Sequence, residues 1–195
     1  DYCLFENAKP DDHFILENTM FFERIQKAVP LEYITNESFF YKSSFYVNEH
    51  VLIPRSETEI LVEDSINHIR QTYHENYSIY EVGTGSGVIP LTIGTEIDKV
   101  LRITACDVSE EVLEIAFLNY NNLKSQIHAD TKFRLENRDR LNGLTDKFDL
   151  IVSNPPYIKK QAHREGVHEQ THLYEPHLAL YIEDENYDQW FANFF

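Results

Sequence analysis

The sequence predicts an α/β fold, with a parallel sheet covered on both faces. Three observations predict it. From residue 56 onward, helical periodicity alternates with short apolar runs. A cluster of glycines follows the first of those runs directly. An aspartate closes the second, where open α/β sheets place their ligands.

The elements follow in order. The N-terminal stretch is acidic and aromatic, and TMFFERIQKAV predicts a helix that Pro30 stops. ESFFYKSSFYVNEHVLIPR collects Phe, Tyr, Val and Ile in short runs around the turn candidates YKSS and VNEH, and reads as a β-hairpin or extended linker closed by Pro54. At Ser56 the period changes. Val62, Ile66, Ile69 and Tyr73 share a helical stripe, and Glu57 and Glu59 occupy the first turn, where the helix dipole favours negative charge. SIYEV is a strand, GTGSG a loop, and VIPLTIGTEI a helix with Pro90 tolerated in its first turn. LRITACD is the second strand. Ser109 then caps a helix opened by Glu110 and Glu111 and carrying Val112, Ile115, Ala116 and Tyr120. TKFRLEN and KFDLIVSN supply two more strands.

Composition limits the function classes. A chain of 195 residues with 42% hydrophobic and 13% aromatic content can bury a core and is not a disordered tail. No apolar run reaches the roughly 18 residues of a membrane span, and DYCLFENAKPDD lacks the pattern of a signal peptide, so a cytoplasmic protein without membrane contact is expected. Cys3 and Cys106 are too few for a disulfide framework, and Cys106 sits in a strand as a buried thiol. Seventeen Lys and Arg against 33 Asp and Glu give a net charge of −16, which repels polyphosphates. FRLENRDR brings three arginines together, but Glu136 and Asp139 interrupt them, so bulk nucleic-acid binding is disfavoured.

Gly83, Gly85 and Gly87 fall within five residues after a strand, with Glu81 two positions ahead. A dinucleotide fingerprint reads G-x-G-x-x-G; here the third glycine comes one residue early and position 88 is Val. Acid-x-G-x-G-x-G resembles the first motif of S-adenosylmethionine-dependent methyltransferases. Asp107, at the end of the second strand, is placed to accept both ribose hydroxyls, the alternative being a helix-capping aspartate. Asp139 and Arg140 stand where similar enzymes contact adenine, the alternative being a surface charge cluster.

SNPPYI ends the fourth strand, and two prolines hold Asn154 in a stiff corner. A sulfonium methyl needs only an in-line nucleophile, yet the lone pair of a planar NH₂ nitrogen is delocalised. Two fixed acceptors, the Asn154 side-chain oxygen and a backbone carbonyl of the Pro155–Pro156 corner, would bind both its hydrogens and favour positive charge as it develops. Tyr157 would pack on the flat group and orient it. Asn154, Pro155, Pro156 and Tyr157 are thus a device for methylating planar NH₂ nitrogen.

Five blocks in order, PLEYI, VLIPRSETEILVE, EVGTGSGVI, VSNPPYI and YEPHLAL, resemble the HemK/PrmC family of protein-(glutamine-N5) methyltransferases over about residues 30–180. The resemblance implies a Rossmann-like methyltransferase fold and methylation of the glutamine in the Gly-Gly-Gln loop of a peptide chain release factor. It implies S-adenosyl-L-methionine as cofactor, with S-adenosyl-L-homocysteine as product. Carried over by position, Glu81, Gly83, Thr84, Gly85, Ser86, Gly87 and Asp107, with Asp139, Arg140 and Asn154, hold the cofactor, and residues 154–157 hold the glutamine amide. It also implies three parts: residues 1–35 as the remnant of an N-terminal helical domain, 36–55 as a hairpin linker, and 56–195 as the methyltransferase domain. Ser56 replaces a usual second proline, and Asn36 a usual glycine. Only 38 residues follow Tyr157, fewer than the remaining strands of such a sheet need, so an incomplete sequence is expected.

Three other readings stay open. An adenine-N6 methyltransferase acting on DNA or RNA would use the same Asn-Pro-Pro-Tyr device. HEQTH, from His168 to His172, fits the zinc-protease pattern H-E-x-x-H. A non-catalytic cofactor-binding remnant is the third.

Overall fold

The computed structural model describes residues 12–72 and 75–194; Cys3 and Tyr73, singled out above, lie outside the described residues. Helix α1 (Asp12–Gln26) starts earlier than the sequence predicts and ends sooner, because Ala28 turns left-handed at φ 56° ahead of Pro30. A short helix that periodicity did not reveal, α2 (Leu31–Thr35), starts directly after that proline.

Asn36 ends α2 at φ 54° and donates its side-chain N–H to the Val47 carbonyl at 3.0 Å. A left-handed position admits glycine freely and asparagine next, so the replacement of the usual glycine keeps the turn. The predicted hairpin follows. β1 (Glu37–Phe40) pairs antiparallel with β2 (Ser43–Tyr46), from Glu37 opposite Tyr46 to Phe40 opposite Ser43, across a turn with Tyr41 at φ 57°.

α3 (Ser56–Gln71) buries Val62, Ile66 and Ile69 on its predicted stripe. Then come β3 (Tyr77–Val82), α4 (Val88–Glu96), β4 (Leu101–Asp107), α5 (Glu110–Leu123), β5 (Lys132–Asn137) and β6 (Leu150–Ser153). The four strands form one parallel sheet in the order β5-β4-β3-β6. Ser109 caps α5 as predicted, its hydroxyl accepting the Val112 N–H at 3.3 Å.

Two successive crossovers of the same hand place α4 and α5 on one face of the sheet, and α3 packs against α4 there. Ile79 and Ile103 point into that layer with Leu91 and Ile93 of α4. The other face differs from expectation. No helix links β5 to β6, and Tyr80, Val82 and Cys106 are covered instead by Leu141, Leu144 and Phe148 of the connecting loop and by Trp190 and Phe194. β6 lies at the sheet's edge, paired only with β3 among the described residues.

Beyond the sheet, β7 (Ile158–Lys159) leads to α6 (Glu169–Tyr174) and α7 (His177–Leu180). β8 (Tyr181–Ile182) then returns to pair parallel with β7, before α8 (Tyr187–Ala192). Among the described residues no helix is long and apolar enough to cross a membrane.

Candidate functional site

The strand order changes direction at β3, so the carboxyl ends of β3, β4 and β6 open onto one crevice. A cavity of about 520 Å³ lies there, and every predicted site residue lines it except Gly87 and Tyr157.

The glycine loop hangs on β4. The N–H groups of Gly83 and Thr84 both donate to the Cys106 carbonyl at 2.9 Å, and that of Gly85 donates to Asp107 Oδ2 at 3.2 Å. Gly83 at φ 72° and Gly85 at φ 54° have open space where a side chain would project. Gly87 does different work. A Cβ there would meet Leu91 Cδ1 at 3.1 Å and Ala116 Cβ at 3.5 Å, so this glycine lets α4 approach α5 and does not line the cavity.

Glu81 is 1% exposed, and neither of its oxygens has a hydrogen-bond partner; the Thr84 hydroxyl beside it is also unpaired. Burial raises the Glu81 pKa well above 4.5. The nearby Thr84 hydroxyl pulls it back down, and the charge of Asp107 adds to the rise. A buried, unpaired acceptor on a cavity wall calls for a cationic or donor group in the cavity. Burial also raises Asp107, against the pull of the Gly85, Ser109 and Val108 N–H groups. The Cys106 thiol is buried and free, and burial raises its pKa as well.

Across the cavity, β6 delivers Asn154. The Ser153 hydroxyl donates to the Val82 carbonyl at 2.8 Å, fixing the strand end to β3. The Asn154 side-chain N–H donates to Thr58 Oγ1 at 3.0 Å, which leaves its amide oxygen free to accept. Tyr157, expected to pack on the flat amide, is 63% exposed and does not line the cavity. The rigid Pro155–Pro156 corner carries the chain outward to β7, and the Tyr157 carbonyl accepts a hydrogen bond from the Tyr187 hydroxyl at 3.2 Å.

Asp139 and Arg140 line the cavity as a bidentate pair at 2.8 and 2.9 Å. The other two arginines of FRLENRDR, Arg134 and Arg138, both pair with Glu136, so this run offers no free cationic face.

Four supporting residues escaped the sequence reading. Thr58 orients Asn154. Asn119, 1% exposed, donates to the carbonyls of Ser86 at 2.8 Å and Tyr46 at 2.9 Å and accepts the Tyr46 N–H at 2.7 Å, tying the glycine loop to the hairpin. Its signal was an asparagine on the otherwise apolar stripe of α5. Arg55 pairs with Glu175, whose other oxygen accepts the Ile53 N–H at 3.2 Å. The fourth, Trp190, stands on the cavity wall.

The histidines of HEQTH are otherwise employed. His168 Nδ1 accepts the Gln170 N–H at 3.3 Å as the cap of α6, and His172 Nδ1 lies 3.0 Å from the Tyr181 hydroxyl. Among the described residues no three His, Cys, Asp or Glu side chains converge to hold a metal.

A family profile described as "Methyltransferase small domain" matches residues 58–172. The chain belongs to that family. As a methyltransferase domain, it is similar to a protein of Flavobacterium psychrophilum named release factor glutamine methyltransferase, with 35% identity over 94% of this chain and 63% of the relative. A protein of the same name from Chlorobaculum tepidum is 38% identical over 81% of this chain and 54% of its own length. The domain thus spans between 54% and 63% of these two relatives. Among solved structures, a ribosomal protein L11 methylase from Lactobacillus delbrueckii subsp. bulgaricus shows 28% identity and a TM-score of 0.41 over 54% of this chain and 49% of its own.

Proposed function

We propose that this methyltransferase domain uses S-adenosyl-L-methionine to methylate the side-chain amide nitrogen of a glutamine, the one in the Gly-Gly-Gln loop of a peptide chain release factor. One observation carries the reading. The Asn154 amide is anchored through its nitrogen to Thr58, which leaves its oxygen to accept, and Asn154 lines the same cavity as the glycine loop and Asp107. The names of the Flavobacterium and Chlorobaculum relatives support the choice of substrate.

The residues present fit the cofactor. The unpaired Glu81 carboxylate suits the ammonium of a methionine moiety, Asp107 suits a ribose diol, and the open space at Gly83 and Gly85 admits a close approach to the backbone. When bound, S-adenosyl-L-methionine supplies a sulfonium methyl and leaves as neutral S-adenosyl-L-homocysteine. The chain contributes position and charge. Asn154 Oδ1 accepts one amide hydrogen and a proline-corner carbonyl the other, loosening the conjugation of the nitrogen as positive charge grows on it, and the methylated nitrogen then gives up one of those two protons to solvent. Tyr157, exposed next to that corner, packs against the incoming glutamine segment. The three-part division at residues 35 and 55, and a cytoplasmic location beside translating ribosomes, belong to the same proposal.

The test uses labelled cofactor, offering a Gly-Gly-Gln-bearing release factor together with duplex DNA, followed by mapping of the label. Label on the glutamine supports the reading. Label on adenine, or none at all, overturns it.

A further inference from the structure

The sheet order lays the cavity out in sequence. Asn154 lies beyond β6, the glycine loop beyond β3, Asp107 beyond β4, and Asp139 with Arg140 beyond β5. An elongated ligand with its ribose on Asp107 and its reactive end at Asn154 must extend its base toward β5. On that side the structure presents an aromatic ring that no motif announced. Trp190 of α8 lines the cavity, and the Arg140 guanidinium lies 5.6 Å from its ring centroid. Asp139 grips Arg140 from the other side at 2.8 and 2.9 Å, so the cation over the ring is held in place.

The ring is held from behind as well. Its centroid lies 5.3 Å from that of Phe194, which is buried among Tyr80, Val82 and Cys106 on the helix-free face of the sheet. A half-buried indole backed by Phe194 and overlaid by a fixed guanidinium gives the cavity wall a planar aromatic–cation surface against which a flat heteroaromatic ring can pack.

We propose that Trp190, with the Arg140 guanidinium over its ring, forms the wall of the adenosine end of the cavity and packs against the purine. The proposal rests on the cofactor reading above and adds a base-recognising residue on α8. A packing residue that only shields Cys106 and Tyr80 would not sense the ligand.

The chain has one tryptophan, so its emission reports this position alone. The full chain is titrated with S-adenosyl-L-homocysteine, with adenosine and with methionine, and calorimetry is run in parallel on the first ligand. S-adenosyl-L-homocysteine should shift or quench the emission with the calorimetric midpoint. Adenosine should reproduce the change and methionine should not. Trp190→Ala should weaken S-adenosyl-L-homocysteine binding about tenfold, the usual scale for losing one stacked base, while Trp190→Phe keeps a flat ring and stays within about twofold. If Trp190→Ala does not fold, Trp190→Phe and the unaltered chain decide the question. Heat of binding without an emission change, or an emission change with methionine alone, overturns the assignment and leaves the cofactor reading standing. Absence of heat overturns both.

Discussion

Two side chains carry the chemistry of the site at the scale of single residues, and each depends on a neighbour. Asn154 presents its oxygen as an acceptor only while Thr58 holds its nitrogen. Asn154→Ala should lower turnover by about 10²–10³-fold, the usual cost of losing one oriented polar contact to the reacting group, and leave cofactor binding almost unchanged by calorimetry. Asp107→Ala should do the reverse and weaken cofactor binding itself. Thr58→Val keeps the shape of residue 58 and removes its oxygen, so turnover should fall about 10–100-fold at unchanged cofactor affinity; Thr58→Ser should restore most of it. Recovery with serine separates orientation of Asn154 from simple packing. Glu81 is a different case. Its raised pKa means that above pH 4.5 the folded chain holds a proton that the unfolded chain has released, so stability falls as pH climbs through that window. Glu81→Gln should flatten that slope and raise the melting temperature near neutral pH, by about 2–4 °C for each kcal/mol gained, while weakening cofactor binding. A lower melting temperature would mean that the carboxylate is satisfied in a way the structure does not show.

At the scale of elements, the cavity is walled by segments joined through polar contacts. The IPR segment before α3 and the YEP segment before α7 meet through Arg55 and Glu175, with side chains 37% and 2% exposed. The asymmetry predicts the outcome of substitution. Arg55→Met strands a buried carboxylate and should cost about 2 kcal/mol in chemical denaturation, below the usual figure for a fully buried pair because Arg55 is partly solvated. Glu175→Gln keeps an acceptor for the Ile53 N–H and leaves Arg55 access to water, so it should cost less. The sequence made the glycine loop, Asp107 and the proline corner legible because each is local: a strand end, a turn and a stop lie within a few residues. Thr58 and Arg55 were not legible, since their partners lie 96 and 120 residues away and nothing in a local pattern encodes such a meeting. α2 was missed for another reason. Five residues are too short to display a helical period.

At the scale of the whole molecule, the four strands appear in the predicted order along the chain, while the cover of the second face did not follow from the alternation of strands and helices. A loop and two aromatic residues near residue 190 do what a crossover helix was expected to do, because a chain passing from β5 at one edge to β6 at the other needs no helix between them. The pairing of all three arginines in FRLENRDR with carboxylates of the same run leaves the −16 charge uncompensated there. Excess duplex DNA should therefore leave glutamine labelling unaffected at moderate salt, and competition by DNA would contradict that account.

The reactive asparagine hangs from the outermost strand, whose far side meets no other strand among the described residues, while β3 beside it is buried along its whole length. Deuterium should accordingly enter β6 long before it enters β3. The precision needed at the transfer point is then borrowed from two hydroxyls, those of Ser153 and Thr58, which act as guy-ropes on a pole planted in soft ground.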